Sequence, residues 1–275
     1  MAEFKNERMM IWGKTRPELS DTYREVVCTG AVLESTNELI RIYPVPLRFL
    51  NDDQLFAKGH VIEALIAPAD RDRRPESRKI DFGSIKIIER IDTDHGSWRR
   101  RSEWIIHNQN LVESVEQIQR DRLETNRSLG LMKPKSIEQV SFEPVSAEEK
   151  HSFKSKYDRV VSQNELPFPE YSNPDVEPIG AADYKFRVRF MCDDPECKGH
   201  TFRILDWEVD ALYYKLKSNS GLPRESALDV VEKLESILLS DRDVRFFLGN
   251  ISNHPDVFTI VGLWYPRATD QPRMF

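Results

Sequence analysis

The sequence predicts an α+β fold in two units: a small OB-like or half-barrel β unit, then a mixed unit with a helix packed on an antiparallel sheet. Three observations carry this. Short β-branched runs crowd the first ninety residues, the hydrophobic period switches from two to about 3.6 near residue 103, and the alternating strand "YKFRVRFMC" opens the C-terminal third.

In the first unit, "REVVCTGAVL" and "LIRIYPVPLRFL" read as two strands joined by the turn "ESTNE". Pro44 and Pro46 cannot donate to a ladder, so they belong at a strand end or a sheet edge. "HVIEALIAPA" and "SIKIIERI" are further strands, and the polar "DRDRRPESRKID" between them reads as an exposed loop. Four short strands at this density fit a small barrel. Next, "EWIIHNQNLVESVEQIQRDRLETNRSLGLM" places Ile105, Leu111, Val112, Val115, Ile118 and Leu123 at helical spacings, with Gly130 as a C-terminal cap and Pro134 as a stop. "SIEQVSFEPV" reads as a strand.

The expected domains are 1–145, a β-rich barrel-like domain with a following helix; 146–183, an extended connector rich in proline and packed by Phe168 and Tyr171; and 184–275, an α+β domain with a Cys/His turn. In the last, Phe186, Val188, Phe190 and Cys192 alternate with Lys185, Arg187 and Arg189. "LPRESALDVVEKLESILLS" is a helix with Pro223 in its first turn and Leu228, Val231, Leu234 and Leu238 on one face. "DVRFFLGNI" and "VFTIVGLWYP" are strands. The expected sheet contains 184–192, 244–251 and 257–264.

Of the 275 residues 39% are hydrophobic and 31% charged, a globular composition. No apolar run reaches the ~20 residues of a membrane span. The N-terminus lacks the pattern of a secretory signal, and three cysteines do not make a disulfide framework, so the expected compartment is the cytoplasm. The net charge of −6 weighs against a dedicated duplex-DNA protein.

Three constellations bear on chemistry. Cys192, Cys197 and His200 have the spacing C-x4-C-x2-H, offer ligands that zinc prefers, and lack a fourth; Asp206, His151, His254 and Cys28 are candidates for it. A free-thiol hairpin is the competing reading. Asp206, Glu208 and Lys215 are candidates for Mg²⁺-dependent phosphodiester cleavage, against the plainer reading of Asp206 as a helix cap. The third is basic: Lys185, Arg187 and Arg189 form a stripe with Arg203 on a neighbouring strand, and Arg99, Arg100 and Arg101 lie between Trp98 and Trp104. Arginine beside aromatic rings suits phosphate contact with base stacking, the single-strand mode of nucleic-acid binding. No phosphate loop or hydrolase motif is present.

The blocks "YREVVCTGAVLE…LIRIYPVPLRF", "FRVRFMC…C-x-GH…ILDWEV" and "FFLGN…HPDVFTIVGLWYP" resemble an uncharacterised bacterial protein family. The resemblance implies an OB-type barrel joined to a cysteine-bearing α+β segment, found near mobile-element and phage-defence functions, and it supplies no catalytic residue. The leading expectation is therefore a nucleic-acid-binding accessory protein in phage defence or DNA processing, binding single strands rather than duplex. The alternatives are a metal-dependent nuclease using Asp206 and Glu208, and a protein–protein interaction subunit of a larger complex.

Overall fold

The computed structural model describes residues 3–93, 98–162, 176–251 and 253–267. The first unit is a closed five-stranded barrel. Its strands are β1 (Lys5–Lys14), β3 (Arg24–Leu33), β4 (Leu39–Val45), β5 (His60–Pro68) and β6 (Ser77–Ile80), paired β1–β3–β4–β6–β5 and closed by β5 on β1. The β4–β6 pairing is parallel and the others antiparallel. In barrel order this is 1-2-3-5-4-1, the Greek-key closure of the expected OB-like unit. A short β2 (Glu18–Ser20) adds to β3, and β7 (Lys86–Arg90) adds to β5.

Strict alternation explains the barrel. Met9 and Ile11 on β1 point inward with Val27, Ile40, Ile42 and Ile62, while Met10 and Trp12 point out. Those outward residues are not solvated. They pack on Leu129, Leu131, Phe247 and Trp264 of the second unit. Trp12 stacks flat on Phe247, with ring centroids 4.0 Å apart, and its indole N–H donates to Ala31 O at 2.9 Å. Gly30 makes room for that indole, because a Cβ there would lie 2.1 Å from a Trp12 ring carbon.

The second unit runs α1 (Trp98–Ile105), β8 (Leu111–Val112), α2 (Val115–Thr125), β9 (Leu129–Met132), β10 (Ser136–Pro144), α3 (Ala147–Val161), β11 (Tyr184–Met191), β12 (His200–Arg203), α4 (Trp207–Ser220), α5 (Pro223–Leu238), β13 (Arg245–Ile251) and β14 (His254–Trp264). Two sheets form where one was expected: β10–β11–β12, and β14–β13–β9–β8. Phe186, Val188 and Phe190 from the first share a core with Phe246, Leu248 and Ile260 from the second, and with Tyr213 and Leu234 of α4 and α5. No helix among the described residues is long and apolar enough to cross a membrane.

Several expectations are corrected. The long helix from residue 103 is three pieces: α1, the strand β8, and α2. Asn126, in left-handed conformation at φ 59°, caps α2, and Gly130 sits within β9. Leu123 is 74% exposed rather than buried. β10, assigned by sequence to the first domain, pairs along its whole length with β11. Most of the expected connector's first half is the helix α3, opened by a capping box between Ser146 and Glu149; Phe168 and Tyr171 lie outside the described residues. On α5 the buried stripe includes Ala227, Val230, Leu234 and Leu238, and Leu228 faces out.

The polar segment 70–81 is also more than a loop, since it contains β6 and docks the two units together. Glu76 accepts from Ser128 N–H at 2.8 Å and from Ser128 Oγ at 2.7 Å. Buried Arg41 donates to Asn250 O, Ser128 O and Ser128 Oγ at 2.8–2.9 Å, and Arg74 reaches Asn250 O at 2.9 Å. The backbone carbonyls at this seam are thereby satisfied by guanidinium donors.

Candidate metal centre

The site starts from the turn that links β11 to β12. Cys192 follows the last residue of β11, and period-two alternation turns its side chain inward behind Phe190. The turn is held by Cys197 N–H to Asp194 O at 3.1 Å and Glu196 N–H to Asp194 Oδ1 at 2.9 Å. Gly199, at φ +89°, takes the left-handed conformation that brings the chain back into β12 at His200. Cys197 Sγ then accepts from Cys192 N–H at 3.3 Å, so both sulfurs lie on one side of the turn.

A fourth group arrives from α2. Ser114 caps that helix by accepting from Gln117 N–H at 2.9 Å, which places Glu116 in the first turn. Ser114 Oγ also donates to Asp194 Oδ2 at 3.1 Å, tying helix to turn. The Glu116 carboxylate lies 2.9 Å from Cys192 Sγ and 3.1 Å from His200 Nε2, and His200 Nε2 lies 3.4 Å from each sulfur. All four ligand atoms fall within 4.8 Å of one another. A tetrahedron with Zn–S of about 2.3 Å and Zn–N of about 2.0 Å has S···N edges of about 3.5 Å. The cluster thus has the size of a zinc coordination shell. Burial and the adjoining Glu116 carboxylate push the Cys192 thiol up to about 12. A dication reverses that cost, because a thiol that ligates a metal is deprotonated.

The expected set Cys192, Cys197 and His200 is therefore brought together, and Glu116 completes it. None of the four residues considered for that place from sequence does so. Nothing in the geometry supports Mg²⁺, which takes oxygen ligands. The sequence signal for Glu116 is the S-x-x-Q pattern at 114–117, which starts a helix at Val115. The reading of one long helix hid it.

The acidic trio does not assemble a second centre. Asp206 is 2% exposed and caps α4 through Glu208 N–H at 3.0 Å, while its other oxygen accepts from Leu263 N–H at 3.0 Å. Lys58 sits 3.6 Å from Asp206 and 3.4 Å from Glu208; burial opposes its charge, but the two carboxylates raise its pKa above the ordinary value. Lys215 is exposed on α4, nine residues on and about 13 Å further along the helix axis. Asp206 is thus engaged as a cap and an ion-pair partner, and Lys215 lies apart from it.

The basic residues are placed as follows. Lys185, Arg187 and Arg189 share the outward face of β11 as expected, but each meets a carboxylate: Glu149 at 2.5 Å, Glu143 at 2.6 Å and Glu138 at 2.7 Å. Arg99 pairs with Glu103 and Arg100 with Glu89. Arg101 is buried and donates to Ile91 O at 2.7 Å. Trp98 is buried edge-on against Trp264, and Trp104 packs against the core at the seam. The stripe and the run exist; the stripe's three cations and Arg99 and Arg100 each pair with a carboxylate, and Arg101 and Trp98 are buried.

Residues 108–275 match a family model described as Domain of unknown function (DUF8757). The chain belongs to that family. A second model, Domain of unknown function (DUF8758), matches residues 5–107. No curated protein matches the chain. The division at 107/108 gives the barrel and α1 to DUF8758. All four metal-site residues, and β10 with them, fall within DUF8757.

Proposed function

We propose that the chain is a non-catalytic accessory protein whose DUF8757 unit is stapled by zinc and which binds a protein partner. The observation that carries this is the ligand count. Glu116, Cys192, Cys197 and His200 fill four positions, and a zinc site closed by four protein ligands is structural rather than catalytic. Such a site ties α2 to the β11–β12 turn, two elements about 80 residues apart in sequence.

Binding is supported by an exposed apolar patch. Leu123 on α2 is 74%, Val257 53% and Ile251 41% exposed, and Arg122 of α2 pairs with Asp256 of the β13–β14 hairpin. Large apolar side chains left exposed on elements joined by an ion pair are the residues that a protein partner would cover. Cobalt substitution tests the metal reading: a closed tetrahedral site gives a visible spectrum that added cyanide or thiol leaves unchanged, and a shift means an open position. The partner reading is tested with Leu123→Asp/Val257→Asp. A partner identified with the native chain is lost on the variant while metal content and circular dichroism are kept; retention by the variant contradicts the patch.

A second reading, single-stranded nucleic acid, draws on the barrel. Its fourth and fifth strands are joined by a loop in which Arg71 and Arg73 are exposed, and OB-type barrels use that loop for oligonucleotides. Fluorescence anisotropy with a labelled single strand separates the readings. Binding abolished by Arg71→Glu/Arg73→Glu favours nucleic acid, and no binding at low salt rejects it.

A further inference from the structure

A different cluster lies at the seam between barrel and second unit. Arg16, in the segment between β1 and β2, donates its backbone N–H to Leu205 O at 3.1 Å, two residues beyond Arg203. Its side chain is nine-tenths buried, lies over the Tyr214 ring at 5.3 Å, and donates through Nη2 to Gly180 O at 2.7 Å. Its Nη1 has no hydrogen-bond partner and stands 3.9 Å from Asp210 Oδ1.

Arg203 ends β12, and its cross-strand partner on β11 is Arg187. Paired residues of an antiparallel ladder project on the same face, and like charges directly opposite repel. Arg187 has relief, through Nη2 to Glu143 at 2.6 Å. Arg203 has none: among the described residues it makes no hydrogen bond or ion pair, and its Nε is buried without a partner. Arg187 Nε is buried and unpartnered too. Burial, together with Arg16 and Arg187, holds the Arg203 guanidinium below its ordinary value, against Asp210 and Glu149. Arg203 thus stands opposite Arg187 on the ladder and within electrostatic reach of Arg16, each of the three keeps a buried N–H donor unmet, and buried donors left unmet are expensive.

We propose that Arg16, Arg187 and Arg203 form an oxyanion site that takes a phosphate group. A tetrahedral oxyanion supplies acceptors in several directions at once, which matches guanidinium forks from three separate segments. The site uses none of the metal ligands and neither Leu123 nor Val257, and it stands independently of both. The phosphate comes either from a small phosphorylated molecule or from the end of a nucleic-acid strand.

The test uses the full chain and Arg203→Gln, which removes a group with no intramolecular bond to lose. Inorganic phosphate and pyrophosphate are titrated calorimetrically at matched ionic strength in chloride. The native chain is expected to bind, and Arg203→Gln to bind at least tenfold more weakly with an unchanged unfolding midpoint. A 5′-phosphorylated single strand compared with its 5′-hydroxyl counterpart assigns the source: preference for the phosphorylated end points to nucleic acid, and equal weak binding of both points to a small molecule. Native protein that binds neither phosphate nor pyrophosphate above the chloride control, or a variant that binds them as well as the native chain, overturns the proposal.

Discussion

Asp210 supplies a prediction that can be worked to a number. It is 9% exposed on α4; burial raises its pKa from 3.8 to about 6, outweighing the opposing Arg16 and Arg203 charges, with Asp206 adding to the rise. Tyr214, over which Arg16 lies, is the neighbouring polar ring. A carboxyl with a raised folded-state pKa holds a proton that the unfolded chain has already released. Between pH 3.8 and about 6 the folded state therefore binds more protons, and stability falls as pH rises through that window. A shift of about two units is worth about 3 kcal/mol at the limit, and about 2 kcal/mol of it is expressed between about pH 7.5 and about pH 4.5. Asp210→Asn removes this titration and keeps the shape. Urea unfolding of both proteins at the two pH values gives a double difference in which all other groups cancel. The native chain is expected to gain about 2 kcal/mol more than the variant on going to the lower pH. A double difference near zero, or one of opposite sign, shows that the two arginines hold Asp210 ionised and refutes the burial argument.

Other substitutions test the seam. Gly30→Ala puts a Cβ into the Trp12 indole and displaces it from Phe247, so unfolding should move by about 1–3 kcal/mol with a change in tryptophan fluorescence; an unchanged midpoint contradicts the packing. Arg41→Met removes three guanidinium hydrogen bonds, to Asn250 O, Ser128 O and Ser128 Oγ, while Arg74 and the Asn250 N–H still serve the two carbonyls; it is expected to cost about 2–4 kcal/mol in urea unfolding, and a cost below about 0.5 kcal/mol would deny Arg41 its docking role.

Where a single period dominated, sequence was sufficient. β3, β4, β5, β7, β11, β13 and β14 all fall on runs whose alternation or β-branched density was plain. β1 was not recognised, because its first half, "KNER", is polar and its second, "MMIWGK", is buried on both faces. One side fills the barrel and the other the seam, and a strand buried on both faces loses its alternation. The same cause merged the second unit's two sheets into one: their strands are equally apolar, and only pairing partners distinguish them. α3 left no apolar stripe to find, since Val160 is its one buried residue among those described. At the metal site, local spacing supplied three ligands. The fourth depended on placing Glu116, 76 positions before Cys192, in the first turn of a helix, which the misread helix concealed. The basic stripe shows the converse. Its face was correctly placed, but the carboxylates that neutralise it come from β10 and α3, whose pairing with β11 local sequence does not specify.

The central claim is that Glu116, Cys192, Cys197 and His200 hold one zinc ion. Elemental analysis of the full chain, expressed with zinc supplied and freed of loose metal by gel filtration, tests it directly. The account predicts one zinc per chain, and less than about one tenth of that in Cys197→Ser, with lowered thermal stability. A folded native protein that carries no stoichiometric metal contradicts it.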